Sequence, residues 1–201
     1  LRVPGFRSWA RVLAAAAALV PGSDVTIREV GVNPSRMGFF RVLARMGATV
    51  DIEPVPWGHS PEPVGSIRVR QADLGAYEVG ANEVPELIDE LPLLGLLGCA
   101  AEGVSRVGGA AELRVKESDR IHGLVGGLQA LGAECEELPD GFIVRGPVSL
   151  RGGDCDALGD HRLAMTLTLA QLISRGPVRV AGGQWVADSF PGFTELWGQL
   201  L

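Results

Sequence analysis

The chain has 201 residues, 46% of them hydrophobic and 21% charged, with a formal net charge of −6. That length supports one domain or two small ones, and the acidic balance argues against nucleic acid as a partner. No apolar run reaches the ~20 residues of a membrane-spanning helix, because the longest covers residues 91–101. The three cysteines, Cys99, Cys135 and Cys155, are odd in number and lack metal-ligand spacing. They predict reduced thiols, a cytoplasmic setting and no metal site.

In chain order, Arg2, Arg7 and Arg11 lie near an alanine-rich run that could pass for a targeting peptide. Pro21-Gly22 and the strand pattern after it predict instead an ordinary helix of the fold. Residues 9–27, 91–107 and 163–180 share one pattern: an apolar helix, a glycine turn and a β-branched strand. Their turn glycines are Gly22, Gly103 and Gly176, spaced 81 (103 − 22) and 73 (176 − 103) residues apart.

Each of these strands leads into a polar turn that opens a second helix, at residues 33–38, 116–120 and 188–192, with Pro34 and Pro191 suited to the first helical position. Gly47 and Gly132 stand where left-handed helix stops are expected. Strand pairs follow at 49–53 with 66–70, and at 134–137 with 141–144, whereas the third unit stops after its second helix. The expectation is a single α/β domain over residues 1–201, built from three units with helices inside and sheets outward. The third unit is incomplete, its last strands supplied by another part of a longer polypeptide. Four prolines between Pro54 and Pro63 mark the expected site of proteolytic cutting.

Charge is concentrated between Arg114 and Arg120, where three cations and two carboxylates occupy seven positions. Ser118 and Asp160 read as helix N-caps, which puts Arg120 and Arg162 in first turns, against a macrodipole that favours anions by ~0.3–1 kcal/mol. A bound phosphate or carboxylate reverses that sign by taking free amides together with the guanidinium forks. The plainer alternative is a structural ion pair such as Arg120 with Glu117. His161 is expected only to cap or to pair with Asp160, and Asp119 and Arg114 to act as supporting charges. Cys99 is expected in the core, and Arg36 in a structural salt bridge rather than on an anion.

The run Glu112-Leu113-Arg114-Val115-Lys116-Glu117-Ser118-Asp119-Arg120 resembles the signature of the 5-enolpyruvylshikimate-3-phosphate synthase family. Ile88-Asp89-Glu90-Leu91-Pro92, Asp160-His161-Arg162-Leu163-Ala164-Met165 and Ser189-Phe190-Pro191-Gly192-Phe193 follow that family's order, so the likeness spans nearly the whole chain. It implies an α/β enolpyruvyl transferase-like domain of three βαβαββ units, the third incomplete here, and the C-terminal of two domains around a cleft. The implied partners are phosphoenolpyruvate, shikimate 3-phosphate and the N-terminal domain of the same enzyme.

By that resemblance Asp89 is the base and hydroxyl ligand, and Glu117 gives a proton to C3 of phosphoenolpyruvate. Lys116 lies against both substrates and steadies the protonation of Glu117 and Asp89, while Arg120 and Arg162 clamp the phosphate and carboxylate. Orientation and electrostatics suffice for this chemistry, so neither metal nor organic cofactor is expected, and an isolated half is expected to be inactive.

The chain departs from the family at Gly5-Phe6-Arg7-Ser8-Trp9-Ala10, where Gly-Asp-x-Ser-Ser-Ala is usual, and carries Asp188 where some members have Lys. Two other readings stay open. One is the sister UDP-N-acetylglucosamine enolpyruvyl transferase family, with Cys155 as its loop acid. The other is a non-catalytic anion-binding module.

Overall fold

The computed structural model describes residues 7–55, 62–186 and 192–193. Three apolar helices form its interior. Helix α1 (Arg7–Leu19) buries its alanine run. Helix α4 (Leu91–Ala100) is buried from Leu91 through Cys99, as expected of a helix that is apolar on every side. Helix α6 (His161–Leu169) buries Leu163 through Leu167. The three pack against one another, and α5 (Arg120–Ala130) joins α4 and α6.

Sheets cover this helical centre. In the first, β1 (Asp24–Gly31), β2 (Thr49–Val55) and β3 (Val64–Arg70) run antiparallel in the order β1-β3-β2. The second holds β4 (Glu78–Val79), β5 (Gly103–Val107), β6 (Glu134–Leu138) and β7 (Gly141–Gly146) in the order β4-β5-β7-β6. The spatial order β5-β7-β6 reproduces β1-β3-β2, so the repeat visible in the glycine spacing is a repeat of topology. In both sheets the central strand points alternate side chains inward, Ile67 and Val69 from β3 and Phe142 and Val144 from β7.

Two strands escape the sequence pattern. Short β4 and then β8 (Gly153–Asp156) each run parallel to a later strand, β5 and β9 (Val178–Ala181) respectively, with a buried helix as the crossover. The unit therefore opens with a strand before its first helix. Cys155 lies within β8 rather than in a flexible loop.

The second helices, α2 (Gly38–Arg45) and α5, end alike. Gly47 and Gly132 have φ of +109° and +97°, a region that only glycine enters readily. The amides of Ala48 and Ala133 reach back to the carbonyls of Leu43 and Leu128 at 3.2 and 2.9 Å, which closes both helices by the same motif. A small helix, α3 (Val84–Leu87), leads toward α4. Of the expected second helix of the third unit, from Asp188, only Gly192 and Phe193 are described, while the centre of the proline run after Pro54 and the departing segment before Arg7 lie outside the described residues.

Candidate active site

The N-terminal ends of α4, α5 and α6 converge, and their charged residues meet there. At α5 the cap is Asp119, whose carboxylate accepts from the His122 amide at 3.0 Å, one residue later than the expected Ser118. The shift arises because the Ser118 hydroxyl is engaged elsewhere, on Asp160 Oδ2 at 3.3 Å. Arg120 becomes the first helical residue. Asp160 caps α6 as expected, accepting from the amides of Arg162 at 2.8 Å and Leu163 at 3.2 Å.

Arg120 is almost wholly buried and faces three carboxylates. Its Nε lies 2.7 Å from Asp160 Oδ2, Nη1 lies 3.3 Å from Asp89 Oδ1, and Nη2 lies 3.4 Å from Glu117 Oε2. The anticipated Arg120–Glu117 pair is therefore the loosest of three. Arg162 reaches Asp89 Oδ2, the Asp89 carbonyl and Glu90 Oε1, each at 3.4 Å. Its Nε is buried without a hydrogen-bond partner among the described residues. Asp89 thus spans the two guanidiniums in the position an anion would contest.

Glu117 is half exposed and its Oε2 sits 2.8 Å from Nδ1 of His161. This corrects the expectation that His161 serves only Asp160: the buried Asp160 is already filled by Arg120, Ser118 and two amides, and His161 turns outward to Glu117. Glu117, Asp160 and His161 bring their ligand atoms within 4.8 Å of one another. With both Asp160 oxygens so engaged, the trio is a poor cation cage. Lys116 also departs from expectation, because its ammonium pairs with Glu112 one helical turn back rather than with Glu117 or Asp89.

Arg114 ties the loop to the β6–β7 hairpin. It donates to the carbonyls of Leu138 and Pro139 and pairs with Glu137 at 2.8 Å and Asp119 at 2.9 Å. Partial burial opposes ionisation of Asp119, but the His122 amide and the Arg114 guanidinium outweigh it and hold its carboxyl below the usual range.

Two residues of the cluster were not singled out as a pair from sequence, Arg11 and Glu90. Both are buried, with Arg11 Nη1 3.1 Å from Glu90 Oε1. Burial pushes the Glu90 carboxyl up, while Arg11 and Arg162 pull the other way. An arginine inside an alanine-rich helix was the available signal. Arg36 is exposed and makes no ion pair among the described residues, contrary to the expected salt bridge, although its carbonyl accepts from Arg11 Nη2 at 2.6 Å. Cys99 is core, as expected. Cys155 is buried with its thiol pushed up by burial to about 11, which is the wrong setting for a loop acid.

Comparison with known proteins gives a consistent picture. The family profile for EPSP synthase (3-phosphoshikimate 1-carboxyvinyltransferase) matches residues 1–197. The 3-phosphoshikimate 1-carboxyvinyltransferase of Pelotomaculum thermopropionicum is 45% identical over 202 aligned residues, covering 100% of this chain and 46% of that protein. Its namesake from Geobacillus kaustophilus is 44% identical, over 95% of this chain and 45% of its own length. An EPSP synthase structure from Acinetobacter baumannii superposes with a TM-score of 0.93 at 37% identity, over 98% of this chain and 46% of that one. The enolpyruvyl transferase NikO from Streptomyces tendae shares the fold at a TM-score of 0.72 and 23% identity. The chain spans about half the length of the curated relatives it matches.

Proposed function

Because this chain belongs to the EPSP synthase family, we propose that it forms the C-terminal half of an enzyme that transfers the enolpyruvyl group of phosphoenolpyruvate to the 5-hydroxyl of shikimate 3-phosphate, releasing phosphate in the cytoplasm. The observation that carries this reading is the pair Arg120 and Arg162, both anchored at helix N-termini and both turned on the single Asp89 carboxylate. Planar guanidiniums suit the phosphate and carboxylate of phosphoenolpyruvate, and the loose 3.4 Å contacts of Arg162 can be exchanged for an incoming anion.

In this reading Asp89 takes the proton of the 5-hydroxyl as its oxygen bonds to C2 of phosphoenolpyruvate, and Glu117 gives a proton to C3. The tetrahedral adduct then loses that C3 proton back to Glu117 as the C2–O bond to phosphate breaks, leaving the enol ether. His161 holds the Glu117 carboxyl in place at 2.8 Å and lies within proton-exchange distance of it. Lys116 would leave Glu112 to meet substrate, an inexpensive exchange for a surface i,i+4 pair. A half-site open to water supplies neither the full ligand set nor a dry cleft, so the chain alone is inactive.

The test joins this chain to the N-terminal half of the Geobacillus kaustophilus relative and measures phosphate released from phosphoenolpyruvate. Release with shikimate 3-phosphate and none with UDP-N-acetylglucosamine is expected. Release only with the latter, or none with either from a folded protein, overturns the proposal, the last in favour of a plain anion-binding module.

A further inference from the structure

Arg11 lies in the second turn of α1 with 5% of its surface exposed, a degree of burial that cationic side chains reach only when paired. Among the described residues it forms an ion pair with Glu90, itself 4% exposed. The same oxygen, Glu90 Oε1, is also approached by Arg162. Two guanidiniums therefore share one carboxylate oxygen, and Arg11 holds it at 3.1 Å against 3.4 Å for Arg162. Arg11 Nη2 also donates to the Arg36 carbonyl at 2.6 Å, which holds its head beside the α2 entrance.

A buried carboxylate demands a counter-charge. Were Arg11 absent, Arg162 would be the nearest cation left to Glu90 among the described residues, and that demand would fall on it. A guanidinium bound tightly to a buried carboxylate is poorly placed to hold substrate. With Arg11 present, every described contact of the Arg162 head is long, and its grip can be exchanged.

We propose that Arg11 is a positioning residue: by satisfying Glu90 it leaves Arg162 available to the anion of the substrate. The identity of that anion rests on the proposed function, whereas the competition for Glu90 rests on geometry alone. The inference also links α1, whose opening sequence departs from the family pattern, to the anion-holding end of α6.

The experiment uses Arg11→Met, which keeps the length of the apolar stem and removes the charge, in the joined two-domain enzyme. KM for phosphoenolpyruvate should rise by about tenfold or more, with kcat changed less than about threefold, the scale set by removal of one member of a close charge network. Adding Glu90→Gln to Arg11→Met should bring KM most of the way back, because a neutral amide no longer claims Arg162. Arg11→Lys should fall between the two. Inorganic phosphate binding by the 201-residue chain, followed by calorimetry, should move in the same order.

A merely structural Arg11 predicts lowered thermal stability with unchanged KM and phosphate affinity per folded molecule. An Arg11 that touches substrate predicts a double variant as weak as the single one. Either result overturns the proposal, and Arg11→Lys carries the same comparison if Arg11→Met does not fold. Absence of transfer in the unsubstituted enzyme would count against the proposed function alone, since the phosphate series still reads the competition for Glu90.

Discussion

Asp160 and Arg120 form an ion pair at 2.7 Å in which neither side chain is more than 3% exposed, and the same Asp160 carboxylate caps α6 through its other oxygen. One residue thus fixes the start of α6 and the head of the first residue of α5. Breaking a buried pair from one side costs about 3–5 kcal/mol because a charge is left behind, whereas asparagine caps a helix about as well as aspartate and adds little. Asp89 and Glu117 still face Arg120, so the lower part of that range applies. Asp160→Asn should therefore lose about 3 kcal/mol of unfolding free energy, read from urea midpoints at unchanged m-value. A loss under 1 kcal/mol would show that the pair does not organise the site.

The roles proposed for Glu117 and Arg120 separate in kinetics. In the joined enzyme Glu117→Gln keeps shape and removes the transferable proton, so kcat should fall by roughly 10²–10⁴-fold with phosphoenolpyruvate binding nearly intact. His161→Ala should lower kcat by about tenfold through loss of the contact that orients Glu117, leaving KM close to its starting value. Arg120→Lys should instead raise KM, since an ammonium cannot reproduce the fork. A purely structural network would make all three variants lose stability with normal turnover per folded molecule. Near-normal kcat in Glu117→Gln would remove the proton-donor role.

Much of the fold was legible because it is written in local patterns. The all-apolar stretch at residues 91–101 had to be an interior helix, and Gly47 and Gly132 had to stop helices. The strands β4 and β8 were not legible, because two and four residues carry too little alternation and β8 reads Gly-Asp-Cys-Asp. In the site, an arginine close behind a capping residue marked both Arg120 and Arg162. What could not be read was the choice of partner: Asp89 and Arg162 stand 73 residues apart in sequence, and only packing of α4 against α6 decides that they meet. The same holds for Lys116 turning to Glu112 and His161 turning to Glu117.

Helix α5 offers a local test of packing. A Cβ at Gly127 would come within 2.8 Å of Leu167, whereas one at Gly126 meets nothing within 4 Å. Gly126→Ala should stabilise the chain by up to about 1 kcal/mol through helix propensity, and Gly127→Ala should destabilise it by about 1–3 kcal/mol through overpacking against α6. Equal effects of the two substitutions on melting temperature would contradict the α5–α6 contact.

Alkaline pH should unfold the protein partly through its thiols. Burial raises Cys99 from an ordinary 9.0 to about 12, and Cys135 and Cys155 to about 11. The unfolded chain releases these protons first, so the native state binds more protons than the unfolded state over the interval between the two values. Stability is then fully present below about pH 9 and declines as pH rises toward about 12, each thiol contributing a slope near 1.4 kcal/mol per pH unit. Urea midpoints between pH 8 and 10.5 should fall with pH in the unsubstituted chain. They should fall less steeply in Cys99→Ala, whose removal takes away the thiol with the widest interval while leaving the other alkaline groups in place. Identical slopes in the two proteins would show that Cys99 ionises in the folded state as readily as in water, and would contradict its burial in the last turn of α4.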